Sequence, residues 1–411
     1  MMHSAQKKIS GKRLCCCLLG LMLLLEPFRA GATSEIERII DNGGYIVHGG
    51  TTFLKFKEQN LFIPASTLKI LTCLVGLKNL GREYRFETHF FLDKKNNLYI
   101  KGYGDPLLTS EVVREIGHTL AGMGIRSLAA VYLDTSSFAL KGETAAEENS
   151  DNPYDAPNGA LVVNFNALPI KIARDQTITS GEPQTPVIPL MAQAAKQLAP
   201  GMHRINVNTL LSEGQRTPAL RYTGELFVVL LREAGITVPG YNIKPVPPNL
   251  QPIYIHRGEK SLEEIIRVCL KNSNNFIANQ IFLACGVKTY GLPATWEKSR
   301  QVFAAFTQKT LQLGPDKIIV KEGSGLSRQN RMSPAALLAI LDLFKPYSTL
   351  LKRQNDILLK SGTMKDIYCY AGYFPKGDDL IPFAILLNQP NNNRSRVLEI
   401  LHAAVSQQGS H

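Results

Sequence analysis

The pattern that most restricts the fold is a helix that begins directly after a serine. Apolar residues recur every three or four positions from Thr67 to Leu80, which predicts an amphipathic helix ended by Gly81. Ser66 then lies at the helix N-terminus, and Lys69 lies one turn further on the same face. A lysine whose pKa is lowered by burial can take the proton of a neighbouring serine. The pair is a candidate nucleophile and base, although Ser-x-x-Lys alone also fits an ordinary helix start with a surface lysine.

The N-terminal residues have the pattern of an export signal. Basic residues between positions 7 and 13 precede an apolar run from Leu14 to Leu25, and Ala30-Gly31-Ala32 provides a small-residue cleavage site. This order predicts a signal peptide over residues 1–32 and a secreted, periplasmic protein that begins at Thr33. The run is shorter than the roughly 20 apolar residues of a membrane-spanning helix. Its cysteines stand at its start, where no lipidated cysteine would lie, so we predict no stable membrane anchor.

Residues 33–411 exceed one ordinary domain, which suggests two domains or one domain with a large insert. The formal net charge is +12, but no basic stripe with interleaved aromatic residues is present, so we expect no nucleic-acid partner. The diffuse charge fits either an anionic polymer or simple solubility. The eight histidines are isolated and no His-Glu-x-x-His occurs, so we expect no metal and no cofactor.

Four cysteines follow the leader: Cys73, Cys269, Cys285 and Cys369. Each lies in an apolar stretch, and none belongs to a Cys-x-x-Cys pair. Three pairings are possible if all four are oxidised. We favour buried thiols that act as small apolar side chains.

The predicted elements differ between the ends and the middle of the chain. Helices are predicted over 261–270, 276–284, 296–311, 334–344 and 395–405, and strands over 357–360, 370–374 and 381–387. A hairpin is predicted between Tyr45 and Phe56. The middle is rich in proline and short strands, with helices only over 111–123 and near 225–233.

Two further motifs contain polar and cationic residues. Ser273-Asn274-Asn275 separates two apolar helices, and Lys360-Ser361-Gly362-Thr363 follows a strand. Each motif alone fits an ordinary polar turn. Lys360 nevertheless offers a fixed cation, and Gly362 lets a substrate backbone lie close.

In this order the three motifs match the Ser-x-x-Lys, Ser-x-Asn and Lys-Thr/Ser-Gly set of penicillin-binding proteins and serine β-lactamases. The chain resembles the low-molecular-mass class C penicillin-binding proteins, the D-Ala-D-Ala carboxypeptidase and endopeptidase group. The segment 64–69 is similar to the nucleophile motif of that family, and 322–328 resembles its Asp-Gly-Ser-Gly-Leu-Ser-Arg stretch. The long interval between Ser66 and Ser273 matches a family that inserts an extra β-rich domain there.

The chain departs from this family in three places. Lys-Ser-Gly replaces the commoner Lys-Thr-Gly, and Asn274 stands where many relatives have aspartate. The stretch between Arg328 and Lys360 is short and lacks a Gly-rich Asp-Gly segment. The three motifs themselves are intact.

The resemblance implies an α/β fold whose transpeptidase/β-lactamase-like domain is an antiparallel sheet flanked by helices. Residues 33–83 and 255–411 would form this catalytic domain. Residues 84–254 would form a mainly β domain inserted between the Ser-x-x-Lys and Ser-x-Asn motifs. The implied activity is a serine-type D-Ala-D-Ala carboxypeptidase, or also an endopeptidase, acting on peptidoglycan stem peptides. β-Lactams such as penicillins would inhibit it covalently.

Eight site residues follow from the resemblance. The catalytic residues are Ser66, Lys69 and Ser273, and the substrate-binding residues are Asn275, Lys360, Ser361, Gly362 and Thr363. Ser66 would be the nucleophile, Lys69 its base, and Ser273 the group that passes the proton to the leaving D-alanine. Asn275 would bind the substrate amide. Lys360, together with the hydroxyls of Ser361 and Thr363, would bind the terminal carboxylate.

Two rival functions share these motifs. A class A β-lactamase would add a deacylating glutamate, and the candidates Glu297 and Glu322 lack its local setting. A slow wall-binding or β-lactam-sensing module would keep the motifs without efficient turnover. An α/β-hydrolase is disfavoured because neither Ser324 nor Ser327 is flanked as in Gly-x-Ser-x-Gly.

Overall fold

The protein's structure is a computed structural model that describes residues 34–49, 52–140, 152–210, 212 and 217–406. The predicted signal peptide and its cleavage site lie outside these residues. The helices are α1 (34–39), α2 (Lys69–Asn79), α3 (Ser110–Gly122), α4 (Pro189–Ala195), α5 (Pro218–Glu233), α6 (Leu262–Asn272), α7 (Asn275–Tyr290), α8 (Trp296–Lys309), α9 (Pro334–Phe344) and α10 (Arg394–Ser406). No helix of the described residues is long and apolar enough to cross a membrane.

The strands fall into one group at the two ends of the chain and another in its middle. They are β1 (Gly43–Gly49), β2 (Thr52–Phe56), β3 (Glu87–Leu92), β4 (Asn97–Gly102), β5 (Ala130–Asp134), β6 (Ala167–Ile172), β7 (Ile178–Ser180), β8 (Gly201–Asn206), β9 (Tyr241–Ile243), β10 (Pro252–Arg257), β11 (Ile318–Ile319), β12 (Arg331–Met332), β13 (Lys352–Gln354), β14 (Ile357–Met364), β15 (Ile367–Lys376) and β16 (Asp379–Leu387). β11 and β12 form a small two-stranded sheet.

The larger sheet has the strand order β13-β14-β15-β16-β1-β2, and all its pairs are antiparallel. β16 is buried continuously from Ile381 to Leu387 because both faces of the sheet are covered. One face packs against a core that includes α2, α6, α7 and α9, and the other packs against α1 and α10. The predicted antiparallel sheet flanked by helices is therefore confirmed.

The middle of the chain builds a second core. Its five-stranded sheet has the order β10-β3-β4-β5-β9, in which β4 and β9 both lie parallel to β5. A three-stranded antiparallel sheet, β7-β6-β8, and the helices α3, α4 and α5 share this core. β10 continues to Arg257, so the second sheet includes residues 255–257, which the predicted boundary assigns to the catalytic part.

The four cysteines of the described chain are buried free thiols, as the sequence favours. All four belong to the core between the larger sheet and the helices α2, α6, α7 and α9. They act there as small apolar side chains.

Three segments from distant parts of the sequence meet beside this core. A short 3-10 turn, Ala65–Leu68, precedes α2, and the loop between α6 and α7 lies next to it. β14 passes the same turn at the edge of the larger sheet. Each segment contains one of the three motifs.

Candidate active site

Ser66 lies in the 3-10 turn Ala65–Leu68, which leads directly into α2. The sequence predicts an α-helix from Thr67, whereas the structure has a tighter 3-10 turn here, in which Ala65 is left-handed with φ 46°. Gly325 packs closely on it, since a Cβ at this glycine would lie 1.9 Å from the Ala65 carbonyl oxygen. The backbone at the serine is therefore held by a loop more than 250 residues away in the sequence.

Lys69 is fully buried, and its ammonium group lies within hydrogen-bonding distance of three separate segments of the chain. Its Nζ lies 3.0 Å from Ser66 Oγ and donates to Asn275 Oδ1 at 2.7 Å and to the Ser324 carbonyl at 2.6 Å. Burial lowers the pKa of Lys69 to about 8, although nearby thiols and the Glu322 carboxylate oppose this shift. A neutral fraction is therefore available near neutral pH to accept the serine proton.

The loop between α6 and α7 presents the second motif. Ser273 ends α6 in the left-handed region, with φ 54°, which turns the chain toward the cleft. Asn274 caps α7, because its side chain accepts the N–H of Ile277. Asn275 is the first residue of α7, and besides accepting from Lys69 it donates Nδ2 to the Tyr154 carbonyl at 3.1 Å.

Lys360 projects from β14 toward the same loop. Its Nζ donates to Ser273 Oγ at 2.9 Å and to the carbonyl of Ser361 at 2.7 Å. Burial, and secondly the charge of Lys69, lower the pKa of Lys360 to about 7. Two lysines thus flank the two serine hydroxyls, one lysine at each hydroxyl.

Gly362 brings β14 against the nucleophile turn. A Cβ at this position would lie 2.9 Å from the Pro64 carbonyl oxygen and 3.1 Å from Ser66 N. Ser361 and Thr363, on either side, line a cleft of ≈ 550 Å³ that also contains Ser66. Ser273 and Asn275 line the same cleft, whereas Lys69, Lys360 and Gly362 lie behind it in contact with Ser66, Ser273 and the turn that contains Ser66. The structure thus brings together all eight residues predicted from the sequence.

The loop that follows Glu322 provides the Ser324 carbonyl, which accepts a hydrogen bond from Lys69. The Glu322 carboxylate is buried and accepts the N–H groups of Ser324 and Gly325, each at 2.7 Å, and the Ser324 hydroxyl at 2.6 Å. It also accepts Asn330 Nδ2 at 2.8 Å. These bonds fix the Ser324 carbonyl that binds Lys69.

Three contacts at the site involve residues to which the sequence motifs assign no role. The Ser324 carbonyl binds Lys69, the Tyr154 carbonyl binds Asn275, and Arg394 binds the backbone of β14 at Gly362. Ser324 belongs to a motif already noticed in the sequence. Tyr154 and Arg394 lie outside every motif, so their contacts with the site are recognised only in the folded structure.

A serine hydroxyl beside a buried lysine base, with donors for an anion opposite, can perform acyl transfer. The antiparallel sheet flanked by helices places these groups as three motifs on a turn, a loop and the strand β14. Fold and site together define an active-site serine enzyme of the penicillin-binding protein and β-lactamase type.

A sequence profile of the D-Ala-D-Ala carboxypeptidase 3 (S13) family matches residues 43–356, and the chain therefore belongs to this family. The match includes the motifs of Ser66 and Ser273 and ends shortly before Lys360. It confirms the family and the serine-type D-Ala-D-Ala carboxypeptidase function that the motifs predict.

Individual relatives agree with this assignment. The D-alanyl-D-alanine carboxypeptidase DacB of Haemophilus influenzae is 22% identical over 427 residues, which cover 87% of this chain and 88% of the relative. A crystal structure of penicillin binding protein 4 (dacB) from Haemophilus influenzae has a TM-score of 0.74 at 19% identity, covering 92% of this chain and 99% of its own. A second, complexed with a novel β-lactam, has a TM-score of 0.70 at 18% identity, with the same coverage. These likenesses confirm the predicted fold.

Proposed function

We propose that Ser66 attacks the carbonyl of the penultimate D-alanine in peptidoglycan stem peptides. The Ser66 Oγ–carbon bond forms, the carbon–nitrogen bond to the terminal D-alanine breaks, and water then hydrolyses the acyl-enzyme. The observation that supports this best is the 3.0 Å contact between Ser66 Oγ and the Nζ of buried Lys69. An adjacent base is what makes a serine hydroxyl nucleophilic.

Proton transfer in this proposal uses two lysine–serine pairs, Lys69 with Ser66 and Lys360 with Ser273. Neutral Lys69 takes the proton of Ser66 as the tetrahedral intermediate forms. Ser273 gives its own proton to the leaving amine and recovers the one that Lys69 took, and the adjacent Lys360, 2.9 Å away, stabilises the charge that develops on the Ser273 oxygen. The backbone N–H groups of Ser66 and Thr363 supply the oxyanion hole.

Substrate recognition uses the other side of the cleft. Asn275 binds the substrate amide, and Gly362 lets the peptide backbone approach β14. Lys360 with the hydroxyls of Ser361 and Thr363 binds the free terminal carboxylate through charge-assisted hydrogen bonds. An endopeptidase substrate offers the same group when the residue after the cleaved bond is a D-amino acid with a free carboxylate.

In this proposal penicillins acylate Ser66, and the resulting acyl-enzyme is hydrolysed slowly. A β-lactamase would need a carboxylate that activates water at the acyl-enzyme. Both Glu322 oxygens accept hydrogen bonds within its own loop, and Glu297 lies on α8 with a 62% exposed side chain near Arg300. These two candidates are therefore unsuited to deacylation, which favours the peptidase over the β-lactamase.

We also propose the cellular setting and the domain division. Residues 1–32 would direct export and be removed, which places the mature enzyme in the periplasm with access to peptidoglycan. Residues 84–254 would form the inserted domain, and the second core, which extends from Phe90 to Val238, supports this division. Residues 33–83 and 255–411 would form the catalytic domain, with β10 extending across this boundary to Arg257.

The test combines a fluorescent penicillin with a pentapeptide that ends in D-Ala-D-Ala. Wild-type protein should be labelled stably and release D-alanine, whereas Ser66→Ala should do neither and keep its fold, because the attacking oxygen is gone. Ser327→Ala, a second serine near the cleft, is the matched control and should be labelled normally. Rapid turnover of the penicillin would indicate a β-lactamase, and labelling without D-alanine release would indicate a sensor.

A further inference from the structure

Arg394, the first residue of α10, extends its side chain to the edge of β14 that lines the cleft. Its Nη1 donates to the Gly362 carbonyl at 2.9 Å and to the Thr363 hydroxyl oxygen at 2.7 Å. Both acceptors belong to the third motif, although the arginine lies about 30 residues further along the chain. The guanidinium therefore contacts the strand that we propose to bind the substrate's carboxylate.

Aromatic rings hold this guanidinium in place. It lies over the ring of Tyr370, with Cζ 4.5 Å from the centroid, and 6.0 Å from the ring of Tyr368. Stacking of this kind suits the planar guanidinium and restricts its rotation. The position is thus defined by β15 as well as by the two hydrogen bonds to β14.

The charge of Arg394 has no acidic partner among the described residues. No described carboxylate forms a salt bridge with it, and its buried Nε has no hydrogen-bond acceptor in that part of the chain. Neighbouring Arg396, in contrast, pairs with Glu35 and Glu399. An uncompensated, permanently charged guanidinium beside the cleft favours an anion there.

The bond to Thr363 has a directional consequence. A hydroxyl has one proton to donate, and Arg394 occupies an acceptor position of the Thr363 oxygen. The proton of Thr363 is then free to point into the cleft, where a carboxylate is an acceptor only. The same contact polarises the hydroxyl and makes it a stronger donor.

We propose that Arg394 is a positioning residue that fixes the Thr363 hydroxyl as a donor to the substrate's terminal carboxylate. This inference rests on the proposed carboxypeptidase function, in which Thr363 binds that carboxylate. Lys360 binds the carboxylate directly, whereas Arg394 acts on it through the Thr363 hydroxyl.

The test compares a peptide ending in D-Ala-D-Ala acid with the same peptide amidated at its end. Arg394→Gln should lower kcat/KM for the acid about tenfold, mainly through KM, because one charge-assisted hydrogen bond weakens, and should change the amide little. Thr363→Val should have a similar effect. The double variant should lose no more than Thr363→Val alone, because both changes remove the same interaction.

Matched variants separate positioning from folding. Arg396→Gln removes a charge two residues away on the same helix and should leave the acid preference unchanged. Arg394→Met keeps an apolar stem over Tyr370 and should reproduce the loss at an unchanged melting temperature. Thr363→Ser keeps the hydroxyl that Thr363→Val removes. Adding Arg394→Gln to Thr363→Ser should therefore again lower kcat/KM for the acid peptide.

The outcomes distinguish the two proposals. If wild-type protein releases D-alanine with an acid preference that survives in both Arg394 variants, the inference about Arg394 is overturned and the function stands. Losses that add in the double variant would also overturn it, since Arg394 would then act without Thr363. If wild-type protein releases no D-alanine from either peptide, the proposed function and this inference are overturned together.

Discussion

Lys69 and Lys360 are both removed from water, and each contacts one of the two serine hydroxyls of the site. Burial disfavours the charged form of each lysine, and their mutual repulsion adds to this effect at Lys360. The required protonation states nevertheless differ. In the proposed mechanism Lys69 acts as a base only when neutral, whereas Lys360 binds a carboxylate best when charged.

The pH dependence of acylation should separate the two lysines. The neutral fraction of Lys69 increases until the pH passes its pKa of about 8. The charged fraction of Lys360 decreases above its pKa of about 7. We therefore expect the limiting rate constant of penicillin acylation to rise up to about pH 8, while the saturation constant worsens above about pH 7.

Stopped-flow acylation between pH 6 and 10 measures both constants. The limiting rate constant, taken at saturating penicillin, reports the base without the binding contribution of Lys360. A limiting rate constant that stays flat from pH 6 to 9 would show that Lys69 is not the titrating base.

At the scale of elements, the close approach of β14 to the nucleophile turn determines the geometry of the site. A methyl group at Gly362 would meet two backbone atoms, the Pro64 oxygen at 2.9 Å and Ser66 N at 3.1 Å. Backbone atoms cannot turn away as a side chain can, so the strand and the turn must separate. Gly362→Ala should therefore lower the acylation rate constant about 100-fold, the usual result of a misplacement near 1 Å.

The effect of Gly362→Ala is measured by penicillin labelling and by thermal unfolding. Gly122→Ala is the matched control, because a Cβ there meets no atom within 4 Å, and it should be labelled like wild type. Normal labelling of Gly362→Ala would mean that the spacing between β14 and Ser66 is unimportant for acylation.

The elements also show which features local sequence can predict. α9 begins at Pro334 and ends at Phe344 as predicted, because Ser333 caps it and proline suits its first position. β14, in contrast, was predicted to end at Lys360 and continues to Met364. Its polar end stays extended because it pairs with β15, and this long-range pairing overrides strand propensity.

The nucleophile turn has a similar explanation. The motif around Ser66 predicts which residues are present, but not the left-handed Ala65 before it. That conformation depends on contact with Gly325, and no local pattern encodes a contact across such a sequence distance. Arg394 was missed for the same reason, since its contact with Thr363 exists only after α10 packs on the sheet.

At the scale of the whole molecule, buried hydrogen bonds join the middle of the chain to α7. Gln280, on α7, is fully buried and donates to the carbonyls of Gly104 and Gly159 at 3.1 and 2.9 Å. Asn158 donates to the Phe276 carbonyl at 3.0 Å. The sequence interval between the first two motifs predicts an insert, but not the atoms through which it docks.

Gln280→Leu should destabilise the protein. It leaves two carbonyls without their donor at a buried interface, which should lower the free energy of unfolding by about 2 kcal/mol. Chemical denaturation followed by fluorescence measures this change. Gln301→Leu, at an exposed position of α8, is the control and should change the free energy by less than about 0.5 kcal/mol. Equal stability of the two variants would mean that the Gln280 contacts contribute nothing.

The pairing of β1 with β16 also dictates an order of assembly during synthesis. Gly43 pairs with Leu387, so the hairpin of β1 and β2 waits for nearly the whole chain before its other neighbour, β16, exists. The core and sheets of the middle segment need no strand beyond β10, which ends at Arg257, and can condense earlier. The reactive serine, held between β14 and a loop after Glu322, therefore acquires its surroundings among the last events. A nascent or truncated chain therefore contains Ser66 and Lys69 but lacks the burial that lowers the pKa of Lys69.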